Sequence, residues 1–366
     1  MSATNRLASI DALRGFDMLL IAGGGTFLVR MDGVTGMKWV DVVAGQMEHA
    51  SWNGFTFYDL IFPLFLFITG VSLAISTTAA LAKKVSKREL LKKAFRRFLI
   101  LWALDIVYKN APLDIFQPDN IRFVGVLSRI GLAGLAATWL FLYFSNRALI
   151  IWITGILFTY FLAMTMIPVP GYGAGQLTLE GNLAGWIDRQ ILPGRLIQKV
   201  FDENGLLTQL PALCLTIAGT IAGRQLSLSL SQQKQTRYLL AGGATALLLG
   251  LAWHPFFPVN KHLWSSSFIL VTTGLSAWLL ALFYWLIEVK QYRRWAFPFQ
   301  IIGMNALLIY YIYHFIDFGF TSRMFFGGFY KYAAEAWQPS LNALGALLVV
   351  WCLLYFFYRK KIFVKI

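Results

Sequence analysis

The stretch "MEHASWNGFTFYDLIFPLFLFITGVSLAIS", residues 47–76, decides the fold class, because a polar segment runs directly into a long apolar one. The apolar window, residues 57–82, exceeds the roughly 20 residues that a helix needs to cross a bilayer. His49, Asn53 and Asp59 stand at its start. The sequence therefore predicts a membrane helix that carries an imidazole, an amide and a carboxylate at its entrance.

The composition extends this prediction to the whole chain. Of 366 residues, 58% are hydrophobic and only 13% are charged, against about 25% charged in soluble domains, and the mean hydropathy is +0.61. These values indicate an all-α, polytopic integral membrane protein and exclude a soluble enzyme. Ten apolar windows predict about ten transmembrane helices: 7–28, 57–82, 91–108, 123–144, 148–166, 206–225, 237–253, 264–287, 296–317 and 338–358.

The distribution of Lys and Arg predicts the orientation of these helices. One set of loops and ends carries 20 of the 32 cationic residues, whereas the opposite, longer set carries 10. Because cytoplasmic loops collect positive charge, both termini should be cytoplasmic, and segments 29–56, 167–205 and 318–337 should face outward. The net charge of +15 then follows from topology, and no nucleic-acid partner is expected. The run "KKVSKRELLKKAFRR" (83–97) can also attract anionic membrane lipids or an anionic nucleotide cofactor.

The chain reads as one transmembrane domain, residues 1–366, in the inner (cytoplasmic) cell membrane. Residues 167–205 form its largest exterior connection, and apolar residues among the Gly and Pro predict an extracytoplasmic cap with one short helix. Cys214 and Cys352 lie in apolar windows and are interpreted as packing residues. The four histidines match no metal-ligand spacing, so no metal is expected.

Charged residues inside apolar windows are the first candidates for function, because such groups are costly in lipid and face a bundle interior or a wet cavity. In the first window Asp11, Arg14 and Asp17 recur every three residues and also interrupt any cleavable signal. Arg14 either binds an anionic group or is neutralised by the two aspartates. Arg129, with Arg122 at the outer end of its window, either binds a cofactor or pairs with Asp105.

His49 is the candidate for proton transfer. An imidazole beside a carboxylate such as Asp59 is the usual arrangement of a general base held in its productive tautomer. His314, at the outer end of the ninth window, is either a site residue or an interface histidine.

Five blocks together resemble the heparan-α-glucosaminide N-acetyltransferase family of transmembrane acyltransferases. They are "SIDALRGFDM", "EHASWNGFTFYDLIFPLFLFITG", "GVLSRIG", "PVNKHLWSSSF" and "IIGMNALLIYYIYH", in the family's order over residues 7–317. The resemblance implies that an acetyl group moves from cytoplasmic acetyl-CoA to an amino sugar or related glycan on the far side. It also implies a catalytic role for His49, supported by Asp59.

Other residues receive roles under this interpretation. Guanidinium groups bind phosphate in bidentate fashion, so the candidates for acyl-CoA binding are Arg14, Arg122 and Arg129. The candidates for acceptor binding are Trp52, Asn53, Asn260, Asn305 and His314. Acyl-CoA, a glycan acceptor, membrane lipids and a second copy of the chain are the expected partners.

The chain departs from the family pattern in three places. Ile21 or Ala22 stands where the family has an asparagine in its first span, "LSRIG" replaces "LQRLG", and "VRMDGVTGMKWVDVVAGQ" precedes the histidine block. A transporter or flippase of a sugar or lipid-linked glycan is the alternative function, since it also needs polar groups inside a bundle. Binding of CoA distinguishes the two, because a transporter has no use for it.

Overall fold

The computed structural model describes residues 7–364, so Arg6 and Lys365, which entered the charge comparison, lie outside the described residues. This part of the chain is helical and contains no β-strand. Its α-helices are α1 (Ala8–Leu19), α2 (Gly25–Val29), α3 (Lys38–Gly45), α4 (Ile61–Ala82), α5 (Lys87–Lys109), α6 (Val126–Tyr143), α7 (Asn146–Met166), α8 (Leu183–Ile191), α9 (Gln209–Leu226), α10 (Gln232–Trp253), α11 (Ser266–Tyr284), α12 (Phe297–Met304), α13 (Ala306–Phe315), α14 (Phe318–Tyr330) and α15 (Gln338–Arg359).

Six helical segments between residues 7 and 364 are long and apolar enough to cross a membrane. They are Ala8–Val29, Phe57–Ala82, Val126–Tyr143, Asn146–Met166, Ser266–Val289 and Glu335–Arg359. The all-helical fold is thereby confirmed. Helices α5, α9 and α10 occupy three more of the predicted windows but are more polar, and the window 296–317 is divided at Asn305 into α12 and α13. The count of ten therefore stays a prediction.

Helix α4 lies at the centre of the bundle and packs closely against α9. A Cβ atom added to Gly70 would collide with the Thr216 carbonyl oxygen, and one added to Gly219 would collide with the Phe67 carbonyl oxygen. Small residues let two helix backbones approach closely and are common where membrane helices pack. Burial of apolar surface contributes little to this packing, because the lipid tails are apolar as well. The glycines therefore fix α4, and with it the polar segment that precedes it.

The first apolar segment is not a uniform helix. Residues Leu20–Gly24 form a π-helical turn between α1 and α2, and Gly23 there has φ +116°, a left-handed value that glycine adopts readily. Upstream, α1 packs on α12, where Gly15 lies against the Phe299 carbonyl. The π turn directs the C-terminal end of this segment toward the turn before α4, where the Tyr58 ring lies beside Gly25.

The segment 167–205, which contains α8, is tied to the bundle by a buried ion pair. The Nε and Nη2 atoms of Arg122 each donate a 2.6 Å hydrogen bond to the Asp202 carboxylate, and both side chains are almost fully buried. The indole Nε1 of Trp52 donates to the Leu177 carbonyl at 2.8 Å. These bonds hold the segment against the polar stretch that enters α4.

Replacement of Gly219 by alanine should destabilise the protein, because the new methyl group cannot fit between α9 and α4. Overpacked sites of this kind cost about 1–3 kcal/mol, which should appear as a lower melting temperature in detergent. Gly242→Ala in α10 is the matched control, since nothing lies within 4 Å of the added Cβ and alanine favours a helix more than glycine does. Equal melting temperatures for the two variants would contradict the packing account.

Candidate active site

The site is built around a buried carboxylate in the turn Phe57–Leu60 that starts α4. Asp59 is fully buried, and its Oδ1 lies 2.8 Å from Nδ1 of His49. Its Oδ2 accepts hydrogen bonds from the backbone N–H groups of Thr56 at 3.1 Å and Ala50 at 3.3 Å. A buried carboxylate needs such partners, and here they fold residues 49–59 over the helix end. The predicted pairing of His49 with Asp59 is thus present in the structure.

The environment of His49 determines its tautomer. A carboxylate beside Nδ1 favours the proton on that nitrogen, which leaves the lone pair on Nε2. The Nε2 atom lies 3.0 Å from Nζ of Lys261, an ammonium donor. The imidazole side chain is 44% exposed and packs against the Tyr58 ring at a centroid distance of 4.8 Å. His49 is therefore an accessible base whose acceptor nitrogen already has a hydrogen-bond donor.

Lys261 was not singled out by the sequence reasoning, although it lies in the block "PVNKHLWSSSF". Its neighbour Asn260 explains how it is placed: the Asn260 amide donates to Oδ1 of Asn53 at 3.1 Å. The Gly54 backbone N–H donates to the Val259 carbonyl at 2.9 Å. The connection between α10 and α11 is thereby joined to the histidine block, and this distant pairing was not visible from spacing along the chain.

A cavity of about 180 Å³ opens beside His49. Its polar wall consists of His49, Glu203 and Lys261, and most of the remainder is apolar. Much of this apolar wall comes from α4, with Ile61, Phe62 and Phe65, and from the first apolar segment, with Met18 and Ile21. A larger open groove lies at the start of α5, beside Arg88, Lys92 and Phe95, but it contains none of the predicted site residues. The smaller cavity is the one that joins a base to an apolar chamber.

An anion, Glu203, lines the cavity, and an aromatic pair lies beside that carboxylate. The Trp52 ring stacks on His262 at 5.2 Å and 11°, and Nδ1 of His262 lies 3.6 Å from the Glu203 carboxylate, an ion-pair distance longer than a hydrogen bond. Burial alone would raise the pKa of Glu203, but pairing with His262 and the charge of Lys261 outweigh it and lower the pKa to about 2. Glu203 therefore stays ionised at neutral pH.

The structure separates the arginines that the sequence grouped as ligands of CoA. Arg14 donates to Ser72 Oγ at 2.6 Å and lies 3.3 Å from Asp11 Oδ1. Ser72 is 13 residues beyond Asp59 on α4, which is about 20 Å at the helical rise. Arg14 therefore lies beside the middle of α4, well away from His49 at the start of that helix.

Arg129 lies at the same end as His49. It is fully buried, donates to the Glu203 carbonyl at 2.8 Å and to Thr208 at 2.6 Å, and has its guanidinium 4.4 Å from the centroid of the Trp264 ring. Asp105, its alternative partner in the sequence analysis, instead accepts from the Ser128 backbone. Arg14 and Arg129 therefore do not form one phosphate site.

Three other predicted site residues also lie apart from the His49 cluster. Nε and Nη2 of Arg122 both donate to Asp202, so its guanidinium binds the segment 167–205. The Asn305 amide bonds to the backbone of Ile362 and Val364. His314 is exposed, and its ring lies tilted against Tyr108 with the centroids 4.1 Å apart. None of the three lines the cavity, and no group of three or more His, Cys, Asp or Glu suited to a metal occurs in residues 7–364.

The chain matches one protein family over more than half of its length. Residues 6–255 match the family model described as heparan-alpha-glucosaminide N-acetyltransferase, catalytic. The curated protein of that name from Mus musculus is 29% identical over 428 residues, covering 100% of this chain and 61% of the mouse protein. Its Homo sapiens counterpart is 29% identical over 429 residues, covering 99% and 60%.

The chain thus spans about three fifths of the length of these relatives. The match covers the first span, the His49 block, Arg129 and the segment with Glu203. It ends before Lys261, which the whole-chain alignments include. With its long apolar helices, the chain is a multi-pass membrane protein and belongs to the heparan-alpha-glucosaminide N-acetyltransferase family.

Proposed function

We propose that this protein is a transmembrane acyltransferase that moves an acetyl group from acetyl-CoA on the cytoplasmic side to the amino group of a sugar or glycan on the opposite side. The observation that carries the proposal is the His49–Asp59 pair at 2.8 Å, placed at the mouth of an apolar cavity. A base with its orienting carboxylate and a chamber for an acyl thioester are the parts that acyl transfer needs. The family match supports the same reaction class.

His49 acts as the general base in this proposal. The acceptor nitrogen attacks the thioester carbon, and the proton leaves that nitrogen for Nε2 of His49. When the tetrahedral intermediate collapses, the carbon–sulfur bond breaks and the thiolate takes a proton back from the imidazolium. Asp59 accepts the Nδ1–H bond throughout, which holds the tautomer and stabilises the positive charge on the ring.

The acyl donor reaches His49 along one face of two neighbouring helices. On α1 and the π turn, Arg14, Met18 and Ile21 are spaced by four and three residues and therefore share a face. Ser72 and Phe65 are similarly aligned on α4. Met18, Ile21 and Phe65 line the cavity, and Arg14 bonds to Ser72, about two turns beyond Phe65 on α4. Arg14 is thus the candidate for the CoA phosphates, with the thioester arm extending toward His49.

Direct transfer is favoured over an acyl-histidine intermediate. His49 is 44% exposed, so an acetyl-imidazole formed there would meet water and hydrolyse. An amine nucleophile needs only a base and an orienting carboxylate. Incubation with radiolabelled acetyl-CoA in the absence of acceptor should leave no label on His49 at times when product forms readily with acceptor; label that later moves to an added amino sugar would show a covalent step.

The proposed topology predicts opposite labelling of two exposed loop positions, Gln46 and Lys84. Single cysteines are introduced there after Cys214 and Cys352 are replaced by serine. A membrane-impermeant maleimide should label Gln46→Cys in intact cells and Lys84→Cys only after permeabilisation. Labelling of both from the same side would contradict the placement of His49 outside the membrane.

His49→Ala should reduce acetyl transfer about 10²- to 10⁴-fold, the usual contribution of a general base, while CoA binding and the melting temperature stay near wild type. Asp59→Asn should leave a weak residual activity, because the amide does not stabilise the imidazolium. Glu48→Gln, next to the histidine, is the matched control for loss of a nearby carboxylate and should be fully active. Near-normal turnover in His49→Ala would remove the catalytic assignment.

Arg14→Met should weaken CoA binding by about 1.5–3 kcal/mol, the range for a hydrogen bond to a charged group. Arg14→Lys should lose less, since it keeps the charge. Titration calorimetry with CoA gives the affinities, and Arg323→Met removes an exposed cation of the α14 helix as the control. CoA bound with unchanged affinity by a folded Arg14→Met protein would make Arg14 structural. No CoA binding by the wild type would instead favour the transporter alternative.

A further inference from the structure

Lys261 contacts the candidate base directly, yet the proposed proton transfer gives it no part. Its Nζ lies 3.0 Å from Nε2 of His49 and 3.9 Å from Oδ1 of Asp59. The side chain is only 10% exposed. An ammonium group held beside the acceptor nitrogen of a base must leave that nitrogen before the base accepts a proton. Lys261 therefore has to be close to the reacting atoms and also mobile.

Hydrogen bonds hold the backbone on either side of Lys261, whereas its long side chain has several rotatable bonds. Leu263 N–H donates to Oδ1 of Asn260 at 2.8 Å, and Asn260 N–H donates to Ser265 Oγ at 3.1 Å. The Asn260 amide also donates to Asn53. A lysine carries its charge on four rotatable carbons, so its ammonium can change partners while the main chain stays in position.

Few other side chains in the cavity can stabilise a negative charge. Among the described residues that line it, Lys261 is the single Lys or Arg, and Glu203 is the single Asp or Glu. Most of the other walls are apolar, such as Phe62, Phe65 and Ile130. In water-poor surroundings an electrostatic interaction is much stronger than in bulk solvent, so one ammonium there has a large effect on charge that develops during a reaction.

We infer that Lys261 is a further catalytic residue, which stabilises the oxyanion of the tetrahedral intermediate in acetyl transfer. The inference rests on the proposed function. As the acceptor nitrogen bonds to the thioester carbon, the carbonyl electrons move to oxygen and the N–H proton moves to Nε2 of His49. Lys261 leaves Nε2 and donates a hydrogen bond to that oxygen, keeping all its protons. The carbonyl re-forms as the thiolate departs, and the ammonium returns to Nε2.

Glu203 completes the charge balance of this step. It stays ionised and lines the same cavity, so the ammonium of Lys261 remains near an anion when it leaves His49. Preorganised donors aimed at a developing oxyanion are often the largest single contribution to acyl transfer, and loss of one typically costs about 10²- to 10³-fold in rate. Removal of the Lys261 charge should have an effect of this size on kcat.

The first test compares Lys261→Met with Lys261→Arg. The methionine variant keeps similar bulk and should lose about 10²- to 10³-fold in kcat, with CoA affinity unchanged as the measure of folding. The arginine variant should recover part of the rate, because it restores a cationic donor. Lys331→Met, which removes an exposed cation in the loop after α14, is the control and should match wild type.

The second test separates oxyanion stabilisation from a purely positioning role. Hydroxylamine is used as the acceptor in a His49→Ala background, since this strong nucleophile depends little on a general base. If Lys261 acts on the oxyanion, His49→Ala/Lys261→Met should be slower than His49→Ala by a factor similar to that in the wild-type background. Equal rates for these two proteins would show that Lys261 acts only through the histidine, and would overturn the inference.

A wild-type protein that transfers acetyl to neither amino sugars nor hydroxylamine would be a different result. It would remove the proposed function, and this inference with it. An active wild type with an equally active Lys261→Met variant would remove only the role of Lys261.

Discussion

The buried carboxylate of Asp59 is the constraint on which the site depends. A fully buried charge at the start of a membrane helix is costly unless it is hydrogen-bonded and paired. Here the backbone of Thr56 and Ala50 and the ring of His49 supply the donors, and the position in the first turn of α4 adds the favourable end of the helix dipole. The same bonds that make the carboxylate tolerable also orient the imidazole, so stability and chemistry depend on one group.

The helix packing gives this local arrangement a fixed position in the bundle. Close contact of α4 with α9 through Gly70 and Gly219 leaves little freedom at the helix entrance. The π turn Leu20–Gly24 places Ile21 in the wall of the cavity. Since Arg14 is on the same face of the first segment, a path of side chains runs from a cation beside the middle of α4 to a base at its start. In the proposed function, this arrangement places the CoA phosphates and the acceptor at different depths along α4.

Sequence reasoning recovered the parts of this account that follow from local patterns. Hydropathy alone predicted an all-helical membrane protein. The pairing of His49 with Asp59 was predicted from the polar cluster at the start of one span. The number of membrane-spanning helices was harder to predict, because one apolar window of the sequence is interrupted at Asn305, between α12 and α13. The roles given to Arg122 and Asn305 assumed that polar residues near a membrane face a ligand, whereas both are engaged within the protein. Lys261 was missed because it is 212 residues from His49 in sequence.

The central claim is that an acetyl group crosses between two compartments at the His49–Asp59 pair. The most direct measurement uses proteoliposomes that contain glucosamine, with acetyl-CoA added only outside and a sealed-vesicle control for leakage of CoA. The account predicts N-acetylglucosamine inside the vesicles with wild-type protein and almost none with His49→Ala. Acetylation that occurs only when donor and acceptor share one compartment, or that proceeds equally in the His49→Ala vesicles, would contradict it.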